Sequence, residues 1–225
     1  MRLLNLAPLL RLKASSHPAS DYRKELHMIR NFLTSIVVSI ALLPLTLKAE
    51  STSSPRVDME NTINAIISIV EANPSDSEKT ARRTKLRELI NPRFNFAEMS
   101  RRALGTNWND ITPAEQQDFV DIFSTLLART YLSKIETVKR GMVTVQSENI
   151  DMPKAVVKTS VVSKGDTFPI DYKLLFEQGR WQVYDVVIEN IGLVANYRNE
   201  FSGIIRKDKF AGLMNKLREK SASGS

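Results

Sequence analysis

The stretch KAVVKTSVVSKGDTFPIDYKLLFEQGRWQVYDVVIE, residues 154–189, decides the fold. Its apolar residues recur with a period of two, interrupted at Lys164-Gly165-Asp166 and Gln178-Gly179. That pattern predicts strands over 154–163, 167–177 and 180–189, joined by tight turns into an antiparallel meander. In the middle strand Phe168, Ile170, Tyr172, Leu174 and Phe176 share one face, and Asp171, Lys173 and Glu177 share the other. The last strand is apolar on much of both faces from Trp181 to Ile188, which predicts a central position. A shorter alternation over 142–146 predicts a fourth strand.

Upstream the period changes to 3.6. Thr112-Pro113-Ala114-Glu115 is the clearest helix start, with Thr112 as N-cap, Pro113 in the first turn and Glu115 closing a capping box. The long helix that follows carries Phe119, Ile122, Phe123, Leu126, Leu127, Thr130, Tyr131, Ile135 and Val138 on one side. It is expected to run to about Arg140, before Gly141. A short helix is predicted over 96–104 with Gly105 as its stop, followed by a loop over 107–110. Further upstream, a helix over 77–90 starts at Ser75 or Asp76 and stops at Asn91-Pro92. A stripe of Met59, Ile63, Ile66, Ile67 and Val70 predicts a first helix ended by Asn73-Pro74. Two helices, 193–206 and 209–220, close the chain. The expected class is α+β: a curved antiparallel four-stranded sheet covered on one face by the long helix and further helices.

Ahead of this domain, residues 28–49 read MIRNFLTSIVVSIALLPLTLKA. Basic Arg30, an apolar run from Phe32 to Leu47 and a small Ala49 before polar residues form a secretory signal with cleavage after Ala49. The run is shorter than the ~20 residues of a spanning helix. Met28 is then the expected start and 1–27 an upstream extension, leaving 50–225 as a single exported domain. Both histidines, His17 and His27, precede the cut, and the chain has no cysteine. The exported part therefore offers no Ser-His-Asp or Cys-His pair, no imidazole or thiolate for a metal, no disulfide, and no lipidated cysteine to anchor it. Its charge is also modest, 25 Lys+Arg against 23 Asp+Glu, which removes the argument for nucleic acid.

Catalysis would have to rest on carboxylates, Tyr, Lys or Ser. Asp171 falls on a polar strand face, and Asp185 within an apolar strand is expected to bond a neighbouring backbone amide. Arg82-Arg83 and Arg101-Arg102 read as solvated helix faces, the alternative being headgroup or partner contact. The apolar face of 167–177 requires a cover, assigned to the long helix and the C-terminal helices. A solid core and a lipid-sized cavity are written with the same residues, so periodicity leaves both open.

Two stretches resemble a known family. One runs Phe94-Asn95-Phe96-Ala97-Glu98-Met99, Ala103-Leu104-Gly105, Trp108, Thr112-Pro113 and Gln116, then Phe119, Phe123, Leu127 and Arg129-Thr130-Tyr131. The other runs Trp181, Tyr184-Asp185-Val186, Glu189, Leu193-Val194, Asn196-Tyr197-Arg198, Phe201 and Leu213. Their order and spacing resemble the MlaC-type proteins, also called toluene-tolerance or ABC-transporter auxiliary components, across 57–217. The resemblance implies a Gram-negative periplasmic carrier with phospholipid as cargo, no other cofactor and no catalytic group. It implies two partners, an inner-membrane ABC transporter with its substrate-binding-domain subunit and an outer-membrane lipoprotein complex; the carrier is expected to be monomeric. The expected pocket wall is Phe123, Leu127 and Tyr131 from the long helix, Ile170, Tyr172 and Leu174 from the sheet, and Ile191, Tyr197 and Phe201 on the far side. Asp185 and Arg198 are expected to be structural, as a candidate pair. Rival readings are an adaptor with a solid core and an isomerase-like enzyme using Asp185. The sequence departs from the family pattern twice. Asn190-Ile191-Gly192 lacks the Ser that would cap the following helix, and Arg206-Lys207-Asp208-Lys209 lacks a Gly between the last two helices.

Overall fold

The computed structural model describes residues 53–222; the expected leader and upstream extension lie outside the described residues. Four helices precede the sheet. Helix α1 (Pro55–Ala72) is capped by Ser54, whose side chain accepts from the Val57 amide. A 3₁₀ turn (Asp76–Glu78) then leads into α2 (Lys79–Ile90). Helix α3 (Phe96–Leu104) is capped by Asn95 and stops at Gly105, whose φ of 59° is costly for any residue with a Cβ. Helix α4 (Pro113–Ile135) begins at Thr112 with the expected capping box. Two expectations are corrected here. Residues 107–110 belong to a 3₁₀ helix (Gly105–Asp110), not a loop. The long helix also stops at Ile135 rather than near Arg140. The Thr137 and Val138 amides bond the carbonyls three residues back, at 3.1 Å each, so the last turn tightens and ends.

The sheet follows in the order β1 (Val143–Asp151), β2 (Lys154–Ser163), β3 (Asp166–Glu177), β4 (Arg180–Ile188) and β5 (Ile191–Gly192). All pairs are antiparallel. It therefore has five strands instead of four, the fifth being two residues that pair Ile191 with Ile188 and Gly192 with Val187. Strand β1 reaches to Asp151, past the expected 142–146, because its polar second half still pairs residue by residue with β2. Strand β4 is not central; only β5 lies beyond it. It is apolar on both faces because both are covered. Trp181, Val183 and Val186 pack with Met59 of α1, whereas the Tyr184 ring lies 4.3 Å from the Arg102 guanidinium of α3. Register shifts between Val145 and Ser147, and between Lys173 and Leu174, bend the sheet and increase its local twist.

Helix α5 (Leu193–Ala222) answers both departures from the family pattern. Asp185 reaches across from β4 and its Oδ1 accepts from the Val194 amide at 3.0 Å, capping the helix that Gly192 cannot cap. The expected break falls at Lys209, with φ 63° and ψ −179°, a conformation nearly reserved for glycine. The chain bends there without the glycine.

The core has two parts. A helical cluster of α3, α4 and α5 includes Met99, Leu104, Phe119, Phe123, Leu127, Tyr197, Phe201 and Leu213. A sheet cluster joins Met59 and Ile63 of α1 to Val157, Leu174, Trp181 and Val183. The cover over the sheet is thus α1. The long helix and the C-terminal helices, expected in that role, pack mainly on α3 and on one another because their aromatic stripes match.

Candidate functional site

Between α1 and the sheet the apolar surfaces do not close. A cleft there encloses about 150 Å³, a narrow slot below the roughly 300–1,000 Å³ of small-molecule sites. Met59, Ile63 and Ile66 of α1 line one wall, and Tyr172, Leu174, Trp181 and Val183 of β3 and β4 the other. Ile90, Phe94, Ile135, Val138 and Val143 complete it. The lining contains few polar groups. Thr62 is spent on the Asp58 carbonyl at 2.7 Å, and Asp58 accepts from the Ser53 hydroxyl. Burial pushes the Tyr172 phenol up to about 12, so it stays a neutral donor at physiological pH. Such a wall is suited to apolar contact.

Polar clasps hold α1 at its ends. At its start, Glu148 of β1 accepts from the Ser54 hydroxyl at 2.8 Å and the Arg56 amide at 2.9 Å. Past its end, Arg82 Nη1 donates to the Asn73 and Ser75 carbonyls at 2.7 and 3.0 Å, and Arg82 Nε donates to Glu136 at 3.0 Å. Arg83 donates to the same carboxylate at 2.9 Å. Burial alone would raise the Glu136 carboxyl, but the bonds from Arg83 and Arg82 outweigh it and hold it below the usual range. The Arg82-Arg83 pair is therefore neither a solvated face nor a headgroup contact. Arg101 and Arg102 both pair with Glu98 of their own helix, at 2.7 and 2.6 Å.

The nine residues singled out from the sequence are divided. Tyr172 and Leu174 line the cleft. Ile170 packs at the edge of the same sheet cluster. Phe123, Leu127, Tyr197 and Phe201 belong to the helical cluster, with Tyr131 against it. There Phe123 sits 5.1 Å from the Tyr197 ring and 5.4 Å from the Phe201 ring, in edge-to-face contact with both. Ile191 is 65% exposed on the short edge strand. The cleft residues on α1 were visible as a buried stripe, but a stripe does not say which surface it faces.

Asp185 is absent from the lining. Its carboxylate is engaged by the Val194 amide and by Lys173 Nζ at 3.4 Å. The Asp185–Arg198 pair is not formed: Arg198 Nε donates to the Arg102 carbonyl at 2.7 Å, since Asp185 is already committed to the helix cap. Among the described residues no group of three or more Asp and Glu is placed to hold a metal ion, and no helix is long and apolar enough to cross a membrane.

Comparisons with known proteins agree with this architecture. The intermembrane phospholipid transport system binding protein MlaC of Haemophilus influenzae is 20% identical over 205 residues, spanning 86% of this chain and 94% of that protein. A phospholipid-binding protein from Ralstonia solanacearum, solved in complex with a phospholipid, matches with a TM-score of 0.68 and 25% identity. That match covers 76% of this chain and 98% of the other. Residues 60–219 fit the family model for the MlaC protein, a span that runs from within α1 through the sheet to within α5. Most of the cleft lining, from Thr62 to Val183, lies within the matched residues, and the chain belongs to the MlaC family.

Proposed function

We propose that this protein is a periplasmic phospholipid carrier that holds acyl chains between α1 and the sheet. The observation that carries the reading is the apolar cleft lined by Met59, Ile63, Tyr172, Leu174 and Trp181. A diacyl lipid with about 30 methylenes, at ~0.8 kcal/mol each, faces a cost on the order of 25 kcal/mol to cross water unprotected. A carrier must bury those chains and leave the polar headgroup near solvent. The cleft is a slot, so a full lipid is admitted by α1 moving outward on its end clasps while apolar side chains repack and no buried polar bond of the sheet is lost.

In this reading Tyr172 and Leu174 touch the chains, and Phe123, Leu127, Tyr131, Tyr197 and Phe201 keep the helical half rigid. The carrier works as a monomer between an outer-membrane lipoprotein complex and an inner-membrane ABC transporter, and it is exported with its leader removed near Ala49. No chemical step is assigned. The commitment of Asp185 to Val194 and Lys173 supports binding without turnover.

Native mass spectrometry of the protein purified from a Gram-negative periplasm tests the reading. A co-purifying mass of one diacyl phospholipid is expected. A folded protein that stays empty after incubation with phospholipid vesicles would leave an adaptor as the better account.

A further inference from the structure

Among the described residues that line the cleft, Arg93 is the one cation, and no ion pair among the described residues engages it. Arg93 lines the cleft and is at the same time exposed, which puts it where the apolar wall meets solvent. No carboxylate among the described residues lies within ion-pair distance of it, in contrast to Arg82, Arg83, Arg101 and Arg102, which all have one. The lining's carboxylate, Asp58, is engaged by Ser53. The backbone that carries Arg93 is fixed on both sides. The Pro92 carbonyl accepts from Gln182 Nε2 at 3.1 Å, Phe94 bridges to Val183, and the Asn95 amide donates to the Val183 carbonyl at 2.9 Å.

We propose that Arg93 is the headgroup site of the carrier: its guanidinium binds the phosphodiester of a lipid whose chains occupy the cleft. This rests on the carrier reading and adds a chemical selection to it. A planar guanidinium takes two phosphate oxygens at once, and the apolar wall beside it weakens competition from water. The chains supply most of the affinity. Arg93 supplies the preference for a phospholipid over an uncharged lipid with the same chains.

The test equilibrates the full chain with vesicles containing phosphatidylcholine and diacylglycerol of identical acyl chains, and reads the bound ratio by mass spectrometry against the vesicle ratio. The wild type is expected to favour phosphatidylcholine about five-fold or more over Arg93→Gln, as befits a charge-assisted contact. Arg93→Gln should take up diacylglycerol as well as the wild type does, and Arg93→Lys should recover part of the preference. Excess inorganic phosphate should leave the wild-type ratio unchanged. An Arg93→Gln ratio equal to wild type, or equal loss of both lipids, overturns the assignment while the carrier reading stands. Abolition of the preference by inorganic phosphate would make Arg93 a free-anion site and overturn it too. A wild type that takes up neither lipid overturns the carrier reading, and this one with it.

Discussion

The two halves of this molecule use similar residues to opposite ends. In the helical half, Phe119, Phe123, Tyr197 and Phe201 interlock with ring centroids 5.1–5.7 Å apart, and Phe119 and Phe123 are fully buried. In the sheet half, Met59, Ile63, Leu174 and Trp181 form a cluster that leaves an apolar cleft along its side. The difference lies in geometry, because helices with matching stripes can slide until they interdigitate. A helix laid over a sheet bent by two register shifts, and held at its ends by Glu148 and Arg82, cannot settle everywhere. One half is closed; the other keeps an apolar cleft.

The largest expected effect separates the halves directly. Phe123→Ala should cost about 3–5 kcal/mol, as for a large side chain removed from a packed core. Ile63→Ala, at a wall that already borders empty space, should cost no more than about 1.5 kcal/mol. Urea midpoints measure both, and equal losses would break the contrast.

Next comes the clasp. Glu136→Gln should cost about 2–4 kcal/mol by leaving the buried Arg82 without its carboxylate. The Glu136 carboxyl lies below its ordinary value of 4.5 in the folded protein, so its contribution is present above that value and is lost as pH falls through the lowered folded value. The stability gap between wild type and Glu136→Gln should therefore be constant near neutrality and shrink below about pH 4.5. A gap that widens on acidification contradicts the assignment.

Lys209→Gly should stabilise the protein by about 1 kcal/mol, since φ 63° with ψ −179° strains any side chain. A higher melting temperature checks it. The smallest effect belongs to Ile191→Glu. At 65% exposure on the edge strand, it should change stability by no more than about 0.5 kcal/mol and leave bound lipid unaltered.

Much of the fold was legible because its signals are local. The turns at Gly165 and Gly179, the Thr112–Glu115 capping box and the Gly105 stop are each decided within a few residues. Which face meets which is not local. The stripe Met59-Ile63-Ile66 and the face Tyr172-Leu174 were each readable, yet the sequence did not pair them with each other. Phe123 and Tyr197 looked like pocket residues because large apolar side chains serve a wall and a solid core equally well. A break between the two closing helices was expected just ahead of 209; the residue that makes it, Lys209, was read as helical and gives no hint of a positive φ. Asp185 was read as a structural acid, but its reach to Val194 depends on where β4 ends beside α5.

Nature has placed one tryptophan in each half, which allows the central claim to be tested without a foreign probe. Trp181 lines the cleft, and Trp108 packs against the helical cluster. The protein is loaded with a phospholipid brominated along its acyl chains, and fluorescence is compared with the unbrominated lipid in Trp108→Phe and Trp181→Phe. Strong contact quenching is expected when Trp181 is the reporter and little when Trp108 is. Quenching of Trp108 with Trp181 spared would place the chains in the helical half and contradict it.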